Sequence, residues 1–211
     1  MTAGVDNMLA YEILSILGIY SSREAGKILN SSDIQEELGR RKIDTKKEGF
    51  QDTFRLITDS LVHDNSIKVV GLVPELCFAP TNKKASFEEL FNEKTHPDPE
   101  RARGLMQEIG VERVINEIIL TFVAGELKQE TSLNSPSYTL SDSLLRAGLE
   151  EREVPFSEEE YLLAKDLLVR FEVLKVRNLL PEISFELREE AQMSAGFTGI
   201  NSNARFSGSE H

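Results

Sequence analysis

Residues 61–78 read LVHDNSIKVVGLVPELCF, and residues 168–185 read LVRFEVLKVRNLLPEISF. Aligned without a gap at an offset of 107 residues, the two stretches share eight identities in eighteen positions. Unrelated stretches of this length would share roughly one. Apolar residues also match like for like, as in Ile67 with Leu174 and Leu76 with Ile183. The chain therefore contains an internal repeat, and two copies of one fold are expected.

The similarity continues upstream of these stretches. Glu12-Ile13-Leu14 aligns with Glu117-Ile118-Ile119, and a two-residue shift of the offset aligns Ser32-Asp33 with Ser141-Asp142. Each copy therefore offers three helical segments, which are followed in the same order by a segment with β alternation.

In the first copy, apolar residues at helical spacing predict a helix over 7–19 and a short helix over 32–39. A longer helix is predicted over 45–63, where Thr45 and Glu48 have the spacing of a capping box. Alternating apolar residues on either side of Gly71-Leu72-Val73-Pro74 then predict a β-hairpin. Helix, helix, longer helix and hairpin is the order of a winged helix, the helix-turn-helix variant with a β-wing.

The second copy leaves one alternative open, because Leu163, Leu167, Phe171 and Leu174 keep helical spacing. Its third helix would then continue through Leu174 instead of ending near Arg170. A hairpin is favoured because Pro181 and the alternation that follows it repeat the pattern of the first copy.

These patterns predict a mainly α-helical fold with small β-wings, formed by two tandem winged-helix domains and a short helical connector. In the connector, Ser86 and Glu89 have capping-box spacing. After Leu187 the composition shifts to Gly, Ser and Asn, which is typical of a flexible tail. The predicted boundaries are domain 1 over 6–80, the connector over 81–109, domain 2 over 110–187 and the tail over 188–211.

Composition and charge limit the classes of function. The chain has no apolar run long enough to span a bilayer, its start lacks the layout of a signal peptide, and a cytoplasmic protein is expected. Of the net charge of −12, residues 1–70 contribute nine Lys and Arg against eleven Asp and Glu. The remaining acidic surface would be repelled by nucleic acid phosphates. Any nucleic acid site is therefore expected in the first seventy residues, and the protein would be nucleoid-associated if it binds DNA.

No catalytic constellation, metal-ligand spacing or phosphate-binding glycine loop is present in the sequence, so no enzyme activity, cofactor, metal or small-molecule substrate is expected. The three histidines lie apart in the sequence. The carboxylates of Glu158-Glu159-Glu160 suit the first turn of a helix. Nothing near the single cysteine, Cys77, suggests an activated nucleophile.

Basic residues cluster where a helix-turn-helix approaches DNA, in the turn before the third helix of copy one and in its predicted first turn. Phosphate binding there and a merely solvated loop are both open interpretations. The corresponding region of copy two contains Glu150-Glu151-Arg152-Glu153, so any DNA would be bound by copy one. The candidate DNA-binding residues are Arg40, Arg41, Lys42, Lys46 and Lys47.

The predicted wing tips carry apolar residues where a wing that binds DNA would carry Lys or Arg. Paired apolar residues at a turn indicate packing, either within the chain or against a protein partner. Aromatic residues in the tail are candidates for a short binding motif. The candidate partner-binding residues are Leu72, Val73, Leu179, Leu180, Phe197 and Phe206.

In architecture and charge, this tandem arrangement resembles the segregation and condensation protein B type, accessory subunits of bacterial chromosome-condensing complexes. The resemblance covers about residues 6–187 and is carried by the two stretches quoted above. It implies a homodimer that binds a linker subunit, with DNA contact secondary, and no functional residue is carried over from it. The sequence thus favours a non-enzymatic assembly subunit over the alternative, a transcription regulator that binds DNA through its first winged helix.

Overall fold

The two repeated stretches form the same pair of antiparallel strands. The structure is a computed structural model that describes residues 3–20, 26–91, 109–129 and 138–188. Val69 lies opposite Phe78 in the first pair, and Val176 lies opposite Phe185 in the second. Both pairs shift register at the residue before the turn, at Gly71 and at Asn178, which are 107 positions apart. The hairpins that the sequence predicts are therefore present.

The fold is α+β, with two three-stranded antiparallel sheets of order β1-β3-β2 and β4-β6-β5. We call residues 3–91 the first half and residues 109–188 the second half. The elements of the first half are α1 (Ala3–Ile16), β1 (Leu29–Asn30), α2 (Ser31–Arg40), α3 (Phe50–His63), β2 (Ile67–Gly71), β3 (Cys77–Pro80) and α4 (Phe87–Leu90). Those of the second half are α5 (Ile109–Gln129), β4 (Thr139–Ser141), α6 (Asp142–Glu151), α7 (Glu158–Arg170), β5 (Leu174–Asn178) and β6 (Ser184–Leu187).

The long helix of the second half ends where the hairpin interpretation placed its end. Phe171 caps α7, its backbone N–H bonding to carbonyls of the last turn, and β5 begins at Leu174. The alternative of a helix continuing through Leu174 is therefore wrong. Glu172 has a φ of 57°, and this left-handed conformation ends the helical path.

The long helix of the first half begins later than predicted, at Phe50 instead of Thr45. Asp44 holds the preceding residues in a turn by accepting the backbone N–H groups of Lys46 and Lys47. Gly49 caps α3 with a φ of 78° and makes no side-chain cap hydrogen bond. The expected capping box of Thr45 and Glu48 is therefore wrong.

The first strand of each sheet is absent from the sequence prediction. Leu29 pairs with Phe78 and Leu140 pairs with Phe185, and these pairings correct the alignment of the second helices. Asn30 and Ser141 are the equivalent N-caps, so Ser32 corresponds to Ser143 and not to Ser141.

Equivalent polar contacts support the corrected alignment. Ser32 donates its backbone N–H and its hydroxyl to Glu75, and Ser143 makes the same two bonds to Glu182. An ion pair of Arg41 with Glu12 in the first half likewise has its counterpart in one of Arg152 with Glu117 in the second half. The two halves thus share surface contacts as well as apolar positions.

Each half packs its helices against one another and against its sheet around fully buried residues. Ile13 and Ile118 occupy equivalent sites on α1 and α5. Phe78 and Phe185, on the central strands, are also fully buried. The apolar cluster continues from one half into the other, because the halves lie against each other.

The predicted capping box of Ser86 and Glu89 is present at the start of α4. Phe91 follows this helix, stacks on Phe87 at 4.7 Å between ring centroids and reaches Phe171 of the second half at 5.9 Å. None of the helices in the described part of the chain is both long and apolar enough to cross a membrane.

Candidate protein interaction site

Two aspartates join the halves by equivalent contacts. Asp166 on α7 accepts the backbone N–H groups of Leu72 and Val73, at 2.6 and 3.1 Å. Asp59, 107 positions earlier on α3, accepts those of Leu179 and Leu180, at 2.5 and 3.1 Å. Each long helix therefore holds the hairpin turn of the opposite half.

Further pairs repeat this exchange. Lys68 on β2 forms an ion pair with Glu172. The equivalent Lys175 on β5 donates a 2.8 Å hydrogen bond to Asn65, which is the counterpart of Glu172 at the same offset. In an isologous, two-fold interface each contact occurs twice, with the two halves exchanging roles, and the contacts described here follow that pattern. We call this contact between the halves the reciprocal interface.

Glu172 also binds the guanidinium of Arg188 at 2.9 Å. Burial by itself would raise the pKa of Glu172. The hydrogen bond and charge of Lys68, together with the charge of Arg188, outweigh burial, and the pKa of Glu172 lies below its ordinary value.

The two ends of the reciprocal interface differ, because a buried ion pair is present at one end and not at the other. Arg170 and Asp166 are fully buried, with Nε 2.6 Å from Oδ2. Arg170 also donates to the carbonyls of Val73 and Leu90, at 2.8 and 2.6 Å, so each nitrogen of its guanidinium group has an acceptor inside the protein. Gly71 is required here, because a Cβ at that position would lie 2.8 Å from Nη2 of Arg170.

At the other end, the position of Arg170 is taken by His63, which is exposed. Its Nδ1 lies 3.0 Å from the side-chain oxygen of Asn178, the residue in the place of Gly71. The contact near α7 thus contains a buried ion pair, whereas the contact near α3 places a histidine beside an amide at the surface.

The four apolar residues predicted at the wing tips lie at the reciprocal interface. The backbone amides of Leu72, Val73, Leu179 and Leu180 are bound by the opposite half, Leu179 is 9% exposed, and the others are partly buried. This is the packing within the chain that the sequence left open beside partner binding. The two tail candidates, Phe197 and Phe206, lie outside the described residues.

The five basic candidates fall into two groups. Arg40 pairs with Glu36 and Glu37, and Arg41 pairs with Glu12 and Glu37. Lys42, Lys46 and Lys47 are exposed, and no carboxylate in the described part of the chain pairs with their ammonium groups. Because α3 begins at Phe50, Lys46 and Lys47 lie in the turn before the helix and not on it.

A groove of about 440 Å³ lies between α3, α2 and the turn of the second half, and sequence reasoning did not anticipate it. We call it the α3 groove. Phe54 and Phe78 line it from the first half, and Leu180 and Ile183 line it from the second. Arg55 borders the groove, is exposed, and has no carboxylate partner among the described residues.

Two glutamines form a neutral wall of the α3 groove. The side chains of Gln35 on α2 and Gln51 on α3 hydrogen-bond to each other, at 2.8 and 3.4 Å. The corresponding residues of the second half, Arg146 and Glu158, form a two-bonded ion pair at 2.7 and 2.8 Å. The hydrogen bond from Arg146 lowers the pKa of Glu158.

The same place in the second half is filled by charged side chains. Arg146 lies over the Tyr161 ring at 4.6 Å from its centroid, and Lys165 lies over the same ring at 4.2 Å. Lys165 also pairs with Asp142, which accepts the Tyr161 hydroxyl. Burial lowers the pKa of Lys165, and burial followed by the Asp142 charge raises that of Tyr161. Phe54 and Thr58 replace this pair of residues in the first half.

The only cysteine of the chain is placed for packing. Cys77 is 1% exposed on β3, and burial raises the pKa of its thiol to about 11, which disfavours the reactive thiolate. Within residues 3–20, 26–91, 109–129 and 138–188, no three His, Cys, Asp or Glu side chains are grouped to hold a metal ion.

Comparison of the chain with protein family models, with curated proteins and with solved structures finds no match.

The signals for this site lie in differences between the two copies. Four groove residues of the first half, Gln35, Gln51, Phe54 and Thr58, have charged or larger counterparts. These counterparts are Arg146, Glu158, Tyr161 and Lys165, and the match of Gln35 with Arg146 is visible only with the corrected alignment of α2 and α6. The aspartates of the reciprocal interface gave a sequence signal, since Asp59 and Asp166 are identical in the repeat. Their partners, backbone amides, gave none.

Proposed function

We propose that the chain is a non-enzymatic tandem winged-helix protein that serves as an assembly subunit of a larger complex. The order helix, strand, helix, helix and two strands, which occurs in both halves, supports the winged-helix assignment. The reciprocal interface supports the assembly role. It occupies the third helix and the wing, which are the surfaces by which winged helices commonly contact DNA.

The third helix of the second half, α7, carries the main observation. From Tyr161 to Arg170 only Leu162 is exposed, because its own half covers one side and β2 of the first half packs against the helix as well. Its accessible first turn holds Glu158, Glu159 and Glu160, which phosphates would repel. These features of α7 support a role in assembly and argue against contacts between this helix and DNA bases.

The first half leaves the α3 groove open toward solvent, and this supports binding of a protein partner there. The groove is concave and apolar at its base, with the neutral amides of Gln35 and Gln51 and the charges of Arg55 and Glu75 around it. Interfaces between proteins commonly combine an apolar centre with a polar rim. A second copy of the chain remains a candidate partner, as a homodimer.

The proposal is tested by affinity purification of the full chain from its native source, with and without nuclease. We expect protein partners in fixed stoichiometry that survive nuclease, and light scattering after size exclusion gives the number of copies. A monomer whose only associated molecules disappear with nuclease would contradict the assembly function.

The alternative, a transcription regulator using the first half, is favoured by one observation. Lys46 and Lys47 are exposed just before α3, where their ammonium groups can reach phosphates. It predicts duplex binding that weakens with salt and is lost when both lysines become Glu. The matched control is Lys27→Glu, which changes an exposed lysine outside this turn. Absence of a mobility shift at low salt would eliminate the alternative.

A further inference from the structure

The internal repeat allows the α3 groove to be compared with the equivalent site of the second half, where charged side chains lie over the Tyr161 ring. In the second half, Arg146 and Glu158 form an ion pair at the equivalent place, and Arg146 covers the ring of Tyr161. In the first half, Gln35 and Gln51 stand in place of that pair. The equivalent N-caps of α2 and α6, Asn30 and Ser141, set the two sites in the same alignment, and the sites differ in these side chains.

The substitutions that open the groove also remove its charges. The second half has an acid at Asp142 and an amine at Lys165, and the first half has Ser31 and Thr58 at the equivalent positions. Phe54 replaces Tyr161 and removes a hydroxyl. A cation in this neutral groove would lose hydration without gaining a buried counter-ion, whereas an apolar side chain would gain from leaving water.

One charge at the edge remains without a partner. Arg55 lies on α3 one turn after Gln51, and its counterpart in the second half is Leu162. The nearest charge that also lines the groove, Glu75, is already bonded to the backbone and hydroxyl of Ser32. Arg55 is thus available to pair with a carboxylate from outside, and such a planar, two-bonded pair gives orientation as well as affinity.

We infer that the α3 groove binds a segment of a protein partner that inserts an aliphatic or aromatic side chain over Phe54 and places an adjacent Asp or Glu on Arg55. This inference rests on the proposed assembly function and names the chemistry of the partner for that site. The basis is charge complementarity at Arg55 together with the neutral base of the groove. Arg55 is the only cation among the described residues that line the groove, whereas nucleic acid binding rests on several phosphate contacts, and this disfavours a nucleic acid in the same place.

A random peptide library displayed on phage provides the probe, with the full chain as bait. Counter-selection uses the double variant Gln35→Arg/Gln51→Glu, which transfers the ion pair of the second half into the groove. Both positions are at the surface or partly exposed, and circular dichroism checks that the variant keeps its fold. We expect enriched peptides that share an apolar residue next to Asp or Glu and that bind the double variant at least about tenfold more weakly.

The matched control is Gln35→Ala/Gln51→Ala, which removes the same amides without closing the groove and should keep binding. Arg55→Glu should weaken an enriched peptide about tenfold or more, and replacing the peptide's acid by Lys should restore binding to this variant. Lys42→Glu makes the same change of charge at an exposed residue that does not line the groove and should have little effect.

Peptides that are basic, peptides that bind the double variant equally well, or no enrichment at all would overturn the inference. Repeating the native purification with the Gln35→Arg/Gln51→Glu variant separates this failure from failure of the proposed function. If nuclease-resistant partners are retained by the variant, the assembly function stands and its site lies elsewhere. If neither protein yields such partners, the assembly function itself fails.

Discussion

Asp166 accepts the backbone N–H of Leu72 at 2.6 Å and that of Val73 at 3.1 Å, and these bonds join the last helix of the second half to the hairpin turn of the first. The equivalent bond from Leu179 to Asp59 runs in the other direction. A carboxylate that accepts two successive amides organises a turn much as an N-cap organises a helix start. The two halves thus fix each other's turns, and neither turn is complete within its own half.

Replacing each of the two aspartates is expected to lower the free energy of unfolding by a different amount. Asp166→Asn leaves the fully buried Arg170 without its counter-ion and should lower the free energy of unfolding by about 3–5 kcal/mol. Asp59→Asn keeps an acceptor at a partly exposed site and should cost about 1 kcal/mol. Urea denaturation followed by circular dichroism measures both. Equal losses would show that the Arg170 ion pair does not distinguish the two ends.

Gly71 is expected to be intolerant of a side chain. The Cβ of Gly71→Ala would lie 2.8 Å from Nη2 and 2.9 Å from Cζ of Arg170, which is held by three bonds and cannot move away freely. We expect a loss of about 1–3 kcal/mol in the free energy of unfolding. The control is Asn178→Ala at the equivalent position of the second half, where the change shortens a side chain and should be milder. A Gly71→Ala protein as stable as the unmodified chain would contradict the close packing of Arg170.

Leu179→Asp is expected to weaken the contact between the halves. It would place a carboxylate at a 9% exposed position whose backbone is already bonded to Asp59, so that two negative charges come close together. We expect a loss of about 2–4 kcal/mol, seen as a lower melting temperature. Leu162→Asp makes the same replacement at a 39% exposed position and should cost less than about 1 kcal/mol. Similar melting temperatures for both variants would argue against a packed role for Leu179.

The pH dependence of stability should contain a contribution from Glu172. The pKa of this carboxyl is lower in the folded protein than in the unfolded chain, so its stabilising effect is present above the unfolded value of about 4.3. It is lost as the pH falls through the folded value. Urea midpoints measured from neutral pH down to about pH 3 should show a difference between the chain and Glu172→Gln that shrinks on acidification. A constant difference would mean that the carboxylate charge is not what stabilises the contact with Lys68.

Particular elements show how far the sequence could predict the fold. The predicted capping box of Ser86 with Glu89 is present, because a capping box is formed by residues three positions apart. The same spacing at Thr45 and Glu48 was misleading, since Asp44 and Gly49 form a competing turn. The strands at Leu29–Asn30 and Thr139–Ser141 are too short to show periodicity.

The sequence by itself determined the repeat and the hairpins, because those depend on residues that are neighbours along the chain. Only the tertiary structure decided that the hairpin turns bind the opposite half, since the partners are separated by 94 residues for Leu72 and 120 for Leu179. A backbone N–H is present in nearly every residue type, so a hydrogen bond to it leaves no pattern in the sequence. The α3 groove also depends on the tertiary structure. Its walls come from α2, α3 and a turn of the other half, which meet only after both halves have folded.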